Sequence, residues 1–571
     1  HYGEIRMDVI KQPKGIFNTF IILSTVFLYG CSNTNEEIQL LNAEKRPNIL
    51  LIVADDLGYA DLGAFGGEIN TPNINSIADE GLLMTNFYTA STCSPTRGML
   101  LTGTDHHLVG LGNMNGRLDT NQVGKKGYET YLNEDAVTVS SLLRDSGYHT
   151  YMTGKWHLGY EPEFQPQSRG FEKSFVLLQG GASHFNDRIG VSRDYSADYI
   201  ENGKQVLLPD NFYSSNYYTD KMISYLEEDI NDDKPFFAYL AYTAPHWPLQ
   251  VPDEDMDLYK GYYDLGYEYV RQNRIEKLKN LGIIDETTIA SMAPDYIKNW
   301  NSLSTKDKNL EIRKMEIFAA MVDNLDRNVG RVIEHLKETG QYENTFVFFM
   351  SDNGAEGNDV SQIPGNKEWL VERFDNSLEN MGKRDSYIYQ GAEWARVSST
   401  PYLDFKTFVS EGGIKAPAIL KYPGISYKGV IDREILTAKD ITPTFLELAG
   451  VAHPGTEYDG RKVYPVTGKS ALPHLNNMKK EIHSSEDLHA WEFLGRQAVR
   501  KGNWKMKLQD QPYGKGEWEL YNISKDPTEN NNLSADYPAK IKELKDDWEE
   551  YKVKNNIIMP INGENTYALP N

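Results

Sequence analysis

From Asn48 onward, continuous apolar runs alternate with stretches of helical period. Asn48–Ala54 (Asn-Ile-Leu-Leu-Ile-Val-Ala) has the pattern of a strand covered on both faces. Tyr148–Met152 reads as a second strand, behind a helix over Val139–Asp145 that Gly147 stops. Pro235–Ala241 is a third. Phe346–Met350 is a fourth, behind an amphipathic helix around Arg313–Glu338. Strands separated by helices predict βαβ units. The expected fold class is therefore α/β, with a large, mainly parallel sheet flanked by helices.

Each run ends in a polar cluster: Asp55-Asp56, Lys155-Trp156-His157, His246 and Asp352-Asn353. Ligands of open α/β sheets bind beyond the carboxyl ends of the strands. Parallel strands bring those ends to one side, so clusters far apart in sequence are expected to meet. Residues 253–308 are charged and helical in character, an insertion expected to form part of a rim; residues 360–401 are a second excursion. Near residue 480 the character changes. Gln497–Lys507 alternates about a Gly502-Asn503 turn, Trp518–Ile523 reads as another strand, and a helix over Pro538–Val553 follows. These predict a smaller C-terminal antiparallel sheet with one helix. The expected division is a catalytic domain over 46–480 and an α+β subdomain over 481–571.

At 571 residues the chain exceeds what one core supports, roughly 250–300 residues. Its formal net charge of −23 argues against a nucleic-acid partner, which needs a basic face. A local basic pocket for a smaller anion is compatible with it. The N-terminal stretch reads as a targeting segment. Met7 is a plausible start, Lys11 and Lys14 form a basic region, and residues 16–29 are mostly apolar but short for a membrane span. Leu28-Tyr29-Gly30-Cys31 resembles a bacterial lipoprotein box. The expectation is a signal peptide over 7–31, lipid on Cys31 as the sole membrane contact, and a tether over 32–45. Such a chain is exported and sits in the periplasm or at the outer membrane. The two cysteines are Cys31 and Cys93. With Cys31 lipidated, no disulfide can form, and the Cys93 thiol needs a reason.

Cys93-Ser94-Pro95-Thr96-Arg97 offers one. Pro95 suits a first helical turn, and the helix would run through Met99-Leu100-Leu101 to Gly103. Cys93 then lies at the positive end of a helix dipole, with Arg97 one turn on. On these residues alone a buried structural cysteine is as good a reading.

Cys-x-Pro-x-Arg followed by Gly98-x-Leu-Leu-Thr-Gly103 resembles the signature of the type I, formylglycine-dependent sulfatases of the alkaline phosphatase-like superfamily. Arg46–Gly58, Thr71–Ala78, Gly154–Gly159, Ala244–Pro248, Ser351–Gly354 and Glu411–Pro417 match further family motifs in order. Thr102–His107 and Asp375–Asn380 are similar to bacterial arylsulfatases. The resemblance spans about residues 46 to 555. It implies that Cys93 is oxidised to Cα-formylglycine, whose hydrated aldehyde is the nucleophile, by a formylglycine-generating or radical maturase. It also implies that Asp55, Asp56, Asp352 and Asn353, with position 93, hold one divalent cation. Ca²⁺ is first choice and Mg²⁺ second, in line with hard oxygen donors. Read alone, the two pairs could equally be a helix cap and a turn. Lys155 and His157 alternate across a short extended segment, so both are expected on one side with Trp156 opposite.

By the same resemblance, Arg97, Lys155 and Lys406 offset the charge of a sulfuryl group and His157 contacts the formylglycine. His246 protonates the leaving alcohol, and Asp352 assists the attack. Lys415 stands where many members carry Arg and is placed outside this site. The implied substrate is a small-molecule or carbohydrate sulfate ester. The runner-up is a phosphonate or phosphodiester hydrolase of the same superfamily. A glycan-binding relative without catalysis is a third reading. A Cys–His thiol hydrolase accounts for Cys93 but not for the carboxylate pairs.

Overall fold

The four apolar runs become four neighbouring strands. In the computed structural model, which describes residues 46–562 apart from residue 426, β1 is Asn48–Ala54. The proposed signal peptide, Cys31, the tether and residues 563–571 lie outside the described residues. β2 is Leu82–Tyr88, β3 His149–Lys155, β4 Lys173–Leu177, β5 Tyr199–Glu201, β6 Lys204–Gln205 and β7 Phe236–Ala241. β8 is Thr345–Ser351, β9 Lys415–Lys421 and β10 Val430–Thr437. These ten form one sheet in the order β10-β2-β9-β8-β1-β7-β3-β4-β5-β6. At its centre β8, β1, β7 and β3 pair in parallel.

β1 shows why both faces must be apolar. Leu50, Ile52 and Ala54 pack on one side with Met315, Phe318 and Val322 of the long Thr305–Glu338 helix. Ile49, Leu51 and Val53 pack on the other with residues of the Cys93–Thr102, Val139–Asp145 and Ala438–Leu448 helices. Period-two alternation thus feeds two cores from one strand.

The sheet is mixed at its flank. β9 runs antiparallel to both β8 and β2. A parallel successor to β8 would need a crossover back to the strand starts. Here the chain between β8 and β9 stays at the carboxyl end, where Lys406 N donates to Ala355 O at 2.9 Å and Gly354 N to Gly413 O at 3.2 Å. β9 therefore starts at the site and runs away from it.

The long helix begins at Thr305 rather than near Arg313, capped by the Ser304 side chain accepting from Asp307 N. Its first turns are polar, so periodicity misses them. Gly147, one residue past the Val139–Asp145 helix cap, has φ 91°, as its stop role requires. Before the long helix, within 253–304, the α-helix is Gly266–Asn280, and Arg274 fixes it to Asp61 at 2.7 Å and Glu68 at 2.8 Å. No helix among the described residues is long and apolar enough to cross a membrane.

The C-terminal sheet comprises β11 (Leu488–Phe493), β12 (Arg496–Lys501), β13 (Trp504–Leu508) and β14 (Glu519–Asn522), all antiparallel. The Pro538–Lys554 helix covers it through Leu544 and Trp548, against Val499, Met506 and Leu520. Trp491 Nε1 donates to Thr89 O at 2.8 Å, joining this sheet to the end of β2. A buried imidazole makes a second join: His107 Nδ1 meets Asp105 Oδ1 at 2.8 Å and Nε2 meets Glu492 Oε2 at 3.2 Å.

Burial opposes a charge on His107, but Asp105 and Glu492 outweigh it and hold its pKa up at about 9 against an ordinary 6.5. A raised folded pKa stabilises fully below the ordinary value, and the contribution disappears as pH rises through the folded value. Melting temperature should therefore fall between pH 6.5 and about 9. Glu492→Gln should flatten that slope and cost about 1–3 kcal/mol at pH 6.5, read by thermal and denaturant unfolding.

Candidate active site

β1 and β8 are parallel neighbours with Ala54 opposite Ser351, so Asp55-Asp56 and Asp352-Asn353 leave the sheet side by side. Backbone bonds tie both β8 and β7 to the exit of β1: Asp352 N donates to Ala54 O at 3.1 Å, and Asp55 N to Ala244 O, just past β7, at 3.1 Å. Asp56 takes φ 67°, a left-handed turn rare outside glycine, which redirects the chain at this point.

Cys93 opens the Cys93–Thr102 helix, and Thr96 holds the turn before it by accepting from Ala90 N and donating to Thr92 O. The Cys93 thiol lies 3.5 Å from Asp55 Oδ1 and 4.0 Å from Asp56 Oδ1. Arg97 Nε and Nη2 donate to Asp352 Oδ2 at 3.0 and 2.7 Å, and Nη1 to Lys155 O at 3.0 Å. Lys155 Nζ donates to Asp55 Oδ2 at 2.6 Å. It is placed by Gly154, where a Cβ would come within 1.8 Å of Ala241 O, so only glycine lets β3 end this close to β7. Lys406 Nζ lies 2.7 Å from Asp56 Oδ1 and 2.9 Å from Glu356 Oε2.

His246 Nε2 lies 3.6 Å from Asp56 Oδ2, while Nδ1 contacts the Trp247 carbonyl at 2.6 Å, so the proton of the neutral ring sits on Nδ1. His157 lines the same cavity as Cys93. The reason differs from the one expected: the strand stops at Lys155, and His157 is in a left-handed turn at φ 58° rather than an extended alternation. Trp156 points away into the core, with Nε1 on Phe164 O at 2.9 Å.

Three participants carry no motif signal. Glu356 is the second counter-ion of Lys406. Gly180 and Gly181 lie against the two imidazoles: a Cβ on Gly180 would come 2.6 Å from His157 Cε1, and one on Gly181 2.7 Å from His246 Cε1. A pair of glycines between Gln179 and Ala182 was the only available hint.

Three cations, Arg97, Lys155 and Lys406, thus face four carboxylates, Asp55, Asp56, Asp352 and Glu356, all buried. The pKa directions follow. Burial, with Asp352 and Asp56 nearby, pushes Asp55 up despite Lys155 and Arg97. A simple ion pair would lower it, so burial wins here, with the two neighbouring carboxylates adding to it. Burial also works on Asp56, but Lys406, His246 and Lys155 hold it down. Burial, then Asp352, pushes the Cys93 thiol well up, which makes it a poor thiolate and speaks against a thiol hydrolase. Burial drives His157 and His246 well below the ordinary imidazole value, with Lys155 and Lys406 adding to it on both.

The residues fit a hard divalent cation. Ligand atoms of Asp55, Asp56, Cys93 and Asp352 all lie within 4.8 Å of one another. Asn353 Nδ2 donates to Asp56 Oδ1 at 2.7 Å, and its Oδ1 is a buried acceptor with no partner among the described residues. A surplus carboxylate and an orphan carbonyl oxygen are what Ca²⁺ or Mg²⁺ satisfies. Above Cys93 opens a cavity of 230 Å³, lined by His157, His246, Lys406, Tyr160, Tyr195 and Trp247 among others. Lys415 lies outside this cluster, as expected, but is buried on Tyr402 and Glu411 rather than solvated.

Comparison with known proteins places the chain beside sulfatases. The family model described as Sulfatase matches residues 47–451, and that for the C-terminal part of N-sulphoglucosamine sulphohydrolase matches residues 401–554. An uncharacterized sulfatase of Schizosaccharomyces pombe is 44% identical over 526 residues, 90% of this chain and 95% of its own length. The arylsulfatase of Klebsiella aerogenes is 40% identical over 431 residues, 75% of this chain and 91% of its own. The crystal structure of Ps i-CgsB in complex with k-i-k-neocarrahexaose is similar at a TM-score of 0.65 and 26% identity, covering 91% of this chain and 96% of that one.

If carboxylate repulsion is the cost that a cation relieves, Asp55→Asn should have opposite effects in two conditions. In chelator it should raise the melting temperature above wild type. With Ca²⁺ at 100–1,000 times its Kd, wild type should gain about 3–4 kcal/mol while the variant gains little, as differential scanning calorimetry would read.

Proposed function

The chain belongs to the sulfatase family, and on that premise we propose that its hydrolysis of sulfate esters runs at position 93, as Cα-formylglycine, inside the Asp55–Asp56–Asp352–Asn353 cluster. The observation that carries this reading is convergence. Residues from five separated motifs surround one thiol that, unmodified, is held in its protonated form. The family match does not favour the phosphonate or phosphodiester alternative.

Asp55, Asp56, Asp352 and Asn353 would hold a divalent cation, which would supply Lewis-acid charge beside the aldehyde hydrate that would serve as nucleophile at position 93. The chain's own groups do the rest. Arg97 locks Asp352 through Oδ2 and leaves Oδ1 toward the Asp56 backbone at 3.4 Å. Lys406, facing the cavity, and Lys155 below it offset the charge of the sulfuryl oxygens. His246 presents Nε2 because Nδ1 is held by the Trp247 carbonyl. An entering anion favours its imidazolium, which then protonates the departing alcohol oxygen. His157 is neutral, with an Nδ1 that has no partner among the described residues, and accepts the proton whose loss releases sulfate.

Tyr160, Tyr195 and Trp247 wall a space of 230 Å³, which supports an alcohol of one ring presenting a flat apolar face. Asn115, Arg117, Gln179 and Ser192 are the polar, non-catalytic part of the same lining, and Gln179 is already bound to Asp198 at 2.7 Å. Cys93 is 2% exposed, which supports its oxidation by a maturase before the chain folds. The basic, apolar and Leu28–Cys31 segments support export and a lipid anchor on Cys31.

Cys93→Ala should abolish turnover and leave the circular dichroism spectrum unchanged; near-normal activity contradicts the reading. His246→Ala should lower kcat about 10²–10⁴-fold on alkyl sulfates and far less on p-nitrophenyl sulfate, whose leaving group needs no acid. A panel of phenol, steroid and oligosaccharide sulfates should rank the single-ring esters first.

A further inference from the structure

A second concentration of buried charge lies behind the wall that carries Lys406. Its cations are Lys415, Arg500 and Lys505; its carboxylates are Glu411 and Glu529. Lys505 Nζ lies 2.8 Å from Glu411 Oε1 and 3.0 Å from Glu529 Oε1, so it draws on both carboxylates. Glu411 Oε2 accepts from the Tyr88 hydroxyl at 2.7 Å and stands 3.6 Å from Lys415 Nζ. Lys415 also donates to the Tyr402 hydroxyl at 3.1 Å. Arg500 directs Nη1 at the Tyr88 hydroxyl and Nε at Gly502 O, and its Nη2 has no partner among the described residues. With Lys507, whose Nζ lies 3.6 Å from Glu529 Oε1, these six groups hold two positive charges more than they can neutralise internally.

Lys415 and Arg500 are only 3% and 7% exposed, yet both line a cavity of 410 Å³ between the β2–β10 edge of the large sheet and the C-terminal sheet. A buried cation without a counter-charge is costly, and a small anion in the cavity removes that cost. The depressed amine of Lys415 agrees. Burial, with Arg500 and Lys505, pulls it down to about 8 against the opposing Glu411.

The geometry points to a second anion site, distinct from the one at Cys93, in which Lys415 Nζ and Arg500 Nη2 hold the terminal oxyanion of a small organic molecule. The volume suits a ligand of metabolite size rather than a bare ion. Asp285, Glu434 and Glu481 also line the cavity, so an extended polyanion is repelled and the rest of the ligand is uncharged. Ser484 and Ser485 in the same lining suit a hydroxyl-bearing body. A terminal sulfate, phosphate or carboxylate shares this chemistry.

Isothermal titration of the full protein with inorganic sulfate, inorganic phosphate and acetate separates the three headgroups, and crystals soaked in selenate locate the sites by anomalous scattering. Two selenate positions are expected, one at Cys93 and one within hydrogen-bond distance of Lys415 and Arg500. Lys415→Met should remove the second and weaken its binding roughly tenfold or more. Arg433→Ala, on the exposed rim of the cavity, should leave sulfatase activity unchanged while weakening the same site. Anion binding near pH 8 should be accompanied by proton uptake, seen as a buffer-dependent heat. Selenate at Cys93 alone in wild-type crystals overturns the proposal, whether or not Lys415→Met folds. Affinity unaffected by a folded Lys415→Met overturns it as well.

Discussion

Two parallel strands that exit a sheet side by side bring whatever follows them into contact. Here β1 and β8 are followed by Asp55-Asp56 and Asp352-Asn353, and the register that pairs Ala54 with Ser351 leaves the carboxylates no room to separate. Buried like charges are among the most expensive arrangements in a protein interior. Much of the surrounding structure can be read as the response. Arg97 grips Asp352, Lys155 grips Asp55, and Lys406 grips Asp56. Since Glu356 also draws on Lys406, the cluster remains short of positive charge. A divalent cation would complete it, and the same electron-withdrawing environment is what a sulfate ester needs for attack.

The small C-terminal sheet is part of this arrangement. Lys406 lies on an irregular segment in which Asp404 and Thr407 take φ 60° and 74°. Such backbone persists only when neighbours hold it. Arg496 Nη1 donates to Thr407 O at 3.0 Å and Gln509 Nε2 to Asp404 Oδ2 at 3.1 Å, both from the C-terminal sheet or its edge. Tyr296, from the inserted 253–308 stretch, donates to Asp404 Oδ1 at 2.6 Å. The insertion and the second sheet thereby fix the position of a lysine that neither contains.

The central strands were legible because burial on both faces leaves an unbroken apolar run, and the polar clusters at their ends followed from the geometry of parallel strands. The Cys93 helix was legible from Pro95 and Gly103. Other features leave no local trace. The direction of β9 depends on where the preceding chain lies in space, not on its own residues. Glu356 meets Lys406 only through the fold. The left-handed turn at His157 and the spaces left by Gly180 and Gly181 are set by ring packing between distant segments. The burial of Lys415 depends on Tyr88, Tyr402 and Arg500, which arrive from three separate elements.

Metal analysis of purified, active enzyme tests most directly whether the buried carboxylates require a resident cation. Inductively coupled plasma mass spectrometry should find one divalent ion per chain, and a crystal structure should place it among Asp55, Asp56, Asp352 and Asn353. Full sulfatase activity in protein stripped to no measurable metal would contradict the account.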